Sequence, residues 1–331
     1  MTDTHHTARM PHRREFLAVG VGAFIVASVP FARRDRRRVV RRTLPVMATT
    51  ADFAVVHSDA SWANRAIDAA MAELVRVEQL MTRFQATSDI GRANASAMLA
   101  PVTISSESHT VIDQALRWAS ASNGAFDPGV GRVVALWDVA HRHEPPPATQ
   151  VQRLAGRHFY RHIESGTEKG TPAVFFTSPE VHLDLGGIAC GYAVDLAIES
   201  LRQWGIRDAL VNVSGDIYAL GTAPDGSPWR IGIRSPFDAH EIIADVEVTD
   251  RAIATSGDYE QFFMHRGMRY HHLMDPEYAA PRRSLVHTVT VTADRCCDAD
   301  AASTAVFGMD AASAHTLLSA VSPGALVVAR A

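Results

Sequence analysis

The stretch "DLGGIACGYAVD", residues 184–195, constrains the fold more than any other part of the chain. An alternating apolar run, Val181, Leu183 and Leu185, leads into three glycines within six residues and then into a helical pattern from Tyr192 to about Trp204. This reads as a strand, a tight turn and a helix. Glycines at such a turn let a ligand approach the backbone closely, and the free N–H groups of a helix start favour an anion there. A phosphate site of this kind usually includes a cation, yet the residue in the loop is Cys190.

Around that turn, apolar spacings of three and four predict helices over residues 61–84 and 110–121, with further short helices over 298–309 and 311–320. Short β-rich runs are expected at 173–177, 209–213, 217–220, 229–233, 242–248, 286–292 and 325–328, and three consecutive prolines make 141–149 an exposed loop. Helices and strands mix without regular βαβ alternation, so the expected class is α+β rather than a dinucleotide-binding Rossmann fold. The 331 residues, 47% of them apolar, are enough for a sizeable core.

Charge divides the chain at about residue 42. Residues 1–42 hold ten Arg and three acids, whereas the remainder holds 22 basic and 33 acidic residues. An acidic body argues against nucleic acid as a partner. Arg13-Arg14-Glu15-Phe16-Leu17, followed by an uncharged run over 18–32, has the pattern of a twin-arginine export signal. Fifteen residues are short of the roughly 20 that span a bilayer. The expected division is therefore an export signal and basic segment over 1–42, a functional domain over 43–331, an exported location, and membrane association only through the N-terminal segment. Cys190, Cys296 and Cys297 form neither a disulfide framework nor a metal-binding CxxC pair.

The chemistry-bearing residues lie late in the chain. Asp300 and Thr304, four apart in "DADAASTAVFG", would share one helix face and offer a carboxylate and a hydroxyl, hard donors suited to Mg²⁺. "HHLMDP", residues 271–276, sets two histidines before an Asp-Pro turn, and a histidine there can serve as general base. "SGDIYALG" and "ATSGDYEQFF" each place Ser, Gly and Asp at a strand end, which by itself is turn chemistry.

In order and wording, "VMATT", "MTRFQATSDIGRAN", "GAFDPGVGRVVALW", "LDLGGIACGYAVD", "ALVNVSGDIYALG", "AIATSGDYEQFF", "YHHLMDP" and "VTVTADRCCDADAASTA" resemble the ApbE family, the FAD:protein FMN transferases. The resemblance runs from about Met47 to the C-terminus. It implies an ApbE-type, T-fold-like single catalytic domain with an FAD cleft. It also implies a reaction in which FMN passes from FAD to a Ser or Thr of a partner protein, with Mg²⁺ bound and AMP released. On this resemblance Met47, Phe84, Asp127, Asp184, Cys190 and Met274 fall at flavin-binding positions. Asp300 and Thr304, with the carbonyl of Gly187, fall at metal-ligand positions, and His272 at the residue that deprotonates the acceptor hydroxyl. Departures from the family pattern are Cys190 for a lysine, Gly129 for a threonine, Arg132 for a proline, "DPEYA" for "DPRTG" and "MAT" for "MGT". A non-catalytic FAD-binding protein and an FAD pyrophosphatase are the alternative functions for such a chain.

Overall fold

The computed structural model describes residues 16–17, 24–27, 38–238, 240–322 and 326–330. Its centre is a seven-stranded, wholly antiparallel sheet with strand order Leu326–Arg330, Thr288–Ala293, Arg251–Gly257, Asp216–Leu220, Ala209–Val213, Thr49–His57 and Arg38–Val46. Eight helices are described: α1 (Ala60–Met81), α2 (Asp89–Ser96), α3 (Ser106–Ala121), α4 (Gly131–Trp137), α5 (Ala148–Leu154), α6 (Ala189–Gln203), α7 (Cys296–Val306) and α8 (Ala311–Val321). The α+β class expected from the sequence is what the chain forms.

The central strands are buried on both faces, and the period of two sorts their residues. Phe53, Val55, Val211, Val213, Ala252 and Ala254 join the core beneath the helices. Ala54, Val56, Leu210, Ile217, Ala219 and Ile253 pack instead against Trp229, Ile231, Ile233 and Val248. Those last residues belong to a second sheet, in which Trp229–Arg234 lies between Ile242–Val248 and Phe24–Ala27. The continuously apolar run 53–56 has a helix layer on one side and a sheet layer on the other, which is why it shows no polar alternation.

Helix α1 starts where Asp59 accepts the N–H groups of Ser61 and Trp62 at 2.8 and 3.0 Å. It buries Ala63, Ala66, Ile67, Ala70, Leu74, Val77 and Met81, the stripe read from the sequence. Helix α6 packs between α1 and α7. Gly191 sets that last approach, because a Cβ there would lie 2.3 Å from the Cys296 carbonyl oxygen. No helix among the described residues is long and apolar enough to cross a membrane.

Two expectations are corrected. Residues 181–185 are not a strand of a sheet; apart from one parallel bridge between Val130 and His182 the segment is irregular. Its backbone is satisfied by loop partners: Asn94 brackets Leu183 with both amide atoms, and Asp184 N–H donates to the Pro128 carbonyl. Second, residues 38–42 are the first half of an edge strand that the sequence reading did not foresee. Arg42 pairs with Asp68 at 2.5 Å, and charged side chains on an edge strand discourage pairing with another chain. The arginine pair at 13–14 lies outside the described residues.

Candidate functional site

Helix α7 carries Asp300 and Thr304, and its position is fixed at both ends by side chains from elsewhere. At its N-terminus the Asp195 carboxylate, from α6, accepts the N–H groups of Cys296 and Cys297 at 2.7 and 3.1 Å. Gln114 and Trp118 of α3 donate to Asp298 at 2.6 and 3.2 Å. At the C-terminus the buried guanidinium of Arg282 donates to the carbonyls of Thr304, Ala305 and Phe307 at 3.1, 3.2 and 2.5 Å. The same guanidinium donates to Met274 O at 3.1 Å and to Ala125 O. One side chain thus ties together the α7 terminus, the 274–275 strand and the loop before Phe126. Burial lowers the Arg282 pKa to about 10, still charged at neutral pH.

The glycine turn lies directly against α7. A Cβ on Gly187 would sit 3.1 Å from Thr304 Oγ1 and 3.3 Å from the Phe126 ring, a tight fit that glycine avoids, so the turn backbone lies close against Thr304. Thr304 Oγ1 is 3.5 Å from Ser256 Oγ, which also bonds Ser303 Oγ at 2.8 Å. Asp300 is buried and accepts the Gly191 N–H at 3.1 Å. The turn residue Asp184 is anchored twice: one oxygen takes the Gly186 N–H at 2.9 Å, and the other pairs with Arg83 Nε at 2.9 Å.

Cys190 lies behind this turn. Its thiol is directed at the Val213 carbonyl at 3.5 Å and neighbours Asp216 and Asp300. Burial, then the charges of Asp216 and Asp300, pushes the thiol well above its usual pKa, so it is neutral. Asp216 and Asp300 hydrogen-bond to each other. Burial takes Asp216 to about 7, and burial followed by the Asp216 charge takes Asp300 well above the usual carboxylate range. All three cysteines are free thiols.

The other predicted flavin-binding positions differ in burial. Met47 sits in the two-residue turn of the Arg38–Val46 and Thr49–His57 hairpin, where both Met47 and Ala48 have positive φ, 51° and 57°. Phe84 is 81% exposed, with Arg83 Cζ 4.3 Å above its ring. Asp127 is buried, accepts N–H groups from Gly129 at 2.8 Å and Tyr160 at 3.2 Å, and is raised to about 7 by burial. Met274 is buried beside Arg282.

His272 follows the Phe262–His265 and Met268–His271 hairpin. Its N–H donates to Gln261 O at 3.1 Å, and its Nδ1 faces the same oxygen at 3.4 Å. Desolvation lowers its pKa, so it is neutral at pH 7. The Nδ1–H tautomer facing Gln261 leaves the Nε2 lone pair free to accept a proton. Its neighbour His271 is fully inside, bonded through Nε2 to Arg282 O at 2.9 Å and lowered to about 4 by burial.

The structure therefore brings Gly187, Asp300 and Thr304 together at the turn, with Cys190 behind them. It joins Met274 to the same helix through Arg282. Asp216, Ser256 and Asp258 lay inside segments already marked as Ser-Gly-Asp strand ends, but turn chemistry explained them without a site. Arg282 carried no sequence signal, because nothing in "PRRSL" shows that one arginine is buried and the next is exposed.

The oxygen donors suit a magnesium ion: the Asp300 carboxylate, the Thr304 hydroxyl and the backbone carbonyls of the adjacent turn. Among the described residues no three His, Cys, Asp or Glu side chains cluster for a metal. Mg²⁺ does not need such a cage, since it commonly takes one or two carboxylates and completes its shell with water and substrate phosphate.

Comparison with known proteins gives a consistent match. A sequence model described as the ApbE family matches residues 47–328. The chain is 32% identical over 270 residues to the FAD:protein FMN transferase of Vibrio cholerae, covering 80% of each chain. It is 33% identical over 257 residues to that of Treponema pallidum, covering 74% of this chain and 71% of the relative. A crystal structure of the ApbE protein from Thermotoga maritima superposes with a TM-score of 0.79 at 26% identity, over 88% of this chain and 94% of that one. The flavin transferase ApbE from Vibrio cholerae gives 0.76 at 29% identity, over 88% and 93%.

Proposed function

Because the chain belongs to the ApbE family, we propose that it transfers FMN from FAD to a Ser or Thr hydroxyl of a partner protein, in a Mg²⁺-dependent reaction that releases AMP. The observation that carries this reading is the glycine turn seated on α7, with the Gly187 backbone against Thr304 and the Gly191 N–H on Asp300.

In the bond changes, the acceptor oxygen attacks the phosphorus of the FMN half. A new P–O bond forms, the pyrophosphate P–O bond breaks, and AMP leaves with the bridging oxygen. The acceptor proton passes to His272, whose neutral ring is a competent base at pH 7. Asp300, Thr304 and the Gly187 carbonyl would hold the Mg²⁺, whose chemistry is to neutralise pyrophosphate oxygens. The 184–191 turn would position those oxygens, and Arg282 ties α7 to the Met274 segment next to His272, which supports a reaction driven mainly by positioning.

Incubating the protein with FAD, Mg²⁺ and a threonine-bearing peptide tests the reading. Flavin on the peptide supports it, whereas free FMN and AMP, or unchanged bound FAD, overturns it. An exported location, periplasmic or at the outer side of the inner membrane, accords with Arg13-Arg14 and the uncharged run after it. Replacing both arginines by lysine should retain the protein in the cytoplasm, and unchanged export would remove that support.

A further inference from the structure

The 184–191 turn offers an anion two free backbone donors. Among the described residues nothing accepts the N–H of Gly187 or of Cys190, and no side chain caps α6. The turn carries no cation of its own, since the residue at its end is a thiol. A cation stands beside it instead. Arg83 Nε pairs with Asp184 Oδ2 at 2.9 Å, while Asp184 Oδ1 takes the Gly186 N–H at 2.9 Å. One carboxylate thus holds a guanidinium and the turn side by side. The Phe84 ring, 4.3 Å from Arg83 Cζ, supports the guanidinium from a second direction. The Arg83 side chain is only 16% exposed, yet among the described residues no acceptor meets its Nη1 or Nη2.

A second arginine joins the first. The His182 backbone bonds Gly129 O at 3.2 Å and Gly131 N–H at 2.9 Å, which brings the start of α4 against the segment leading into the turn. Arg132, the next residue of α4, is exposed and has no ion-pair partner among the described residues. Its charge and that of Arg83 both act on the His182 ring, and Asp184 is the one carboxylate that acts there with them. The Asp127 carboxyl, on the loop before α4, is turned to the N–H groups of Gly129 and Tyr160. Two guanidinium groups against one carboxylate leave net positive charge at the mouth of the turn. Resting on the transfer reading, we infer that Arg83, backed by Arg132, binds the diphosphate of FAD there and supplies the positive charge that the turn lacks. The free Arg83 fork has the planar pair of donors that matches two phosphate oxygens, and its anchors at Asp184 and Phe84 set it in place before the ligand arrives.

The test compares FAD with riboflavin, which has the same ring and no phosphate, each titrated by flavin fluorescence with Mg²⁺ present. Arg83→Gln should weaken FAD by at least about tenfold and leave riboflavin unchanged, and Arg83→Lys should fall between. Arg132→Gln should weaken FAD several-fold, again with riboflavin unchanged. Added salt should weaken FAD more than riboflavin in the wild type, and by less in Arg83→Gln. Unchanged FAD affinity in Arg83→Gln overturns the assignment, and so does an equal loss for riboflavin, which would place Arg83 in support of the Phe84 ring. If Arg83→Gln does not fold, the exposed Arg132 decides: a loss confined to FAD supports the site, and no loss overturns it. FMN transfer to the threonine peptide is scored separately. A phosphate-selective loss in a protein that transfers nothing undercuts the reaction and leaves the diphosphate site standing, whereas transfer by the wild type with normal FAD binding in Arg83→Gln does the reverse.

Discussion

The two sides of the site are built in opposite ways. On the α7 side, the 184–191 turn, α6 and α7 are packed so closely that Gly191 has no room for a methyl group, and both ends of α7 are held by charged side chains, Asp195 and Arg282. On the His272 side, the histidine sits at the foot of a hairpin that exposes Phe262 and Met264. A group that must hold pyrophosphate gains from rigidity, whereas a surface that must admit another protein has to stay open. The contrast separates residues whose loss should unfold the site from those whose loss should only silence it.

The largest effect should come from the open side. His272→Ala should lower transfer by about 10²–10⁴-fold, the range for losing a general base, while FAD affinity and thermal midpoint change little. Recovery of transfer at saturating FAD would assign His272 to binding instead.

Arg282→Met tests the packed side by leaving five carbonyl contacts without their donor. With an unsatisfied buried polar group costing about 1–3 kcal/mol, a loss of about 3 kcal/mol in urea unfolding is expected after partial relaxation. Activity should fall with it, because the same guanidinium aligns α7 with the Met274 strand. An unchanged urea midpoint would show that α7 is held without Arg282.

A third effect sharpens the role of the Asp216–Asp300 pair. Burial and the Asp216 charge raise the Asp300 pKa and so favour its protonated form, and if Asp300 holds Mg²⁺ as proposed, the ion would compete with that proton. Affinity should therefore rise with pH, by up to about tenfold per pH unit while the proton is retained. Mg²⁺ titrations between pH 6 and 8 check this, and a pH-independent activation constant would remove Asp300 from the metal site. Asp216→Asn removes the partner carboxylate and should flatten the dependence.

How much of this was legible follows from where each signal is stored. Local patterns carried the α+β class, the buried stripe of α1 and the strand at 209–213, because helical and strand periods are written in neighbouring residues. The pairing of Asp300 with Thr304 was also local, being one helical turn. The edge strand at 38–46 was hidden because its arginines read as part of a basic leader, and edge strands tolerate charge. Val181, Leu183 and Leu185 alternate like a strand, yet their neighbours across space are loops and the Asn94 side chain. Arg282, Asp216 and Asp258 act through partners 8 to 157 residues away, on other strands, helices and loops, and no periodic pattern in the sequence shows such contacts.

The smallest expected effect lies in the turn at Met47 and Ala48. Val46 pairs with Thr49, so the two residues between them form the tight hairpin loop whose right-handed twist demands positive φ at both positions. The family-like segment has glycine at the second position, where this chain has Ala48 at φ 57°. For an L-residue the left-handed region brings Cβ against the carbonyl, at about 1–2 kcal/mol, whereas glycine enters it freely. Glycine also enlarges the unfolded ensemble, which returns about 0.4–1 kcal/mol of that gain. Ala48→Gly should therefore stabilise the chain by about 0.5–1 kcal/mol without altering FMN transfer, since the turn geometry and the Met47 side chain are retained. A lower urea midpoint in this variant would mean that the methyl group makes a packing contact worth more than the strain it causes. A change in FAD affinity at constant stability would mean that the turn is part of the flavin cleft rather than its support.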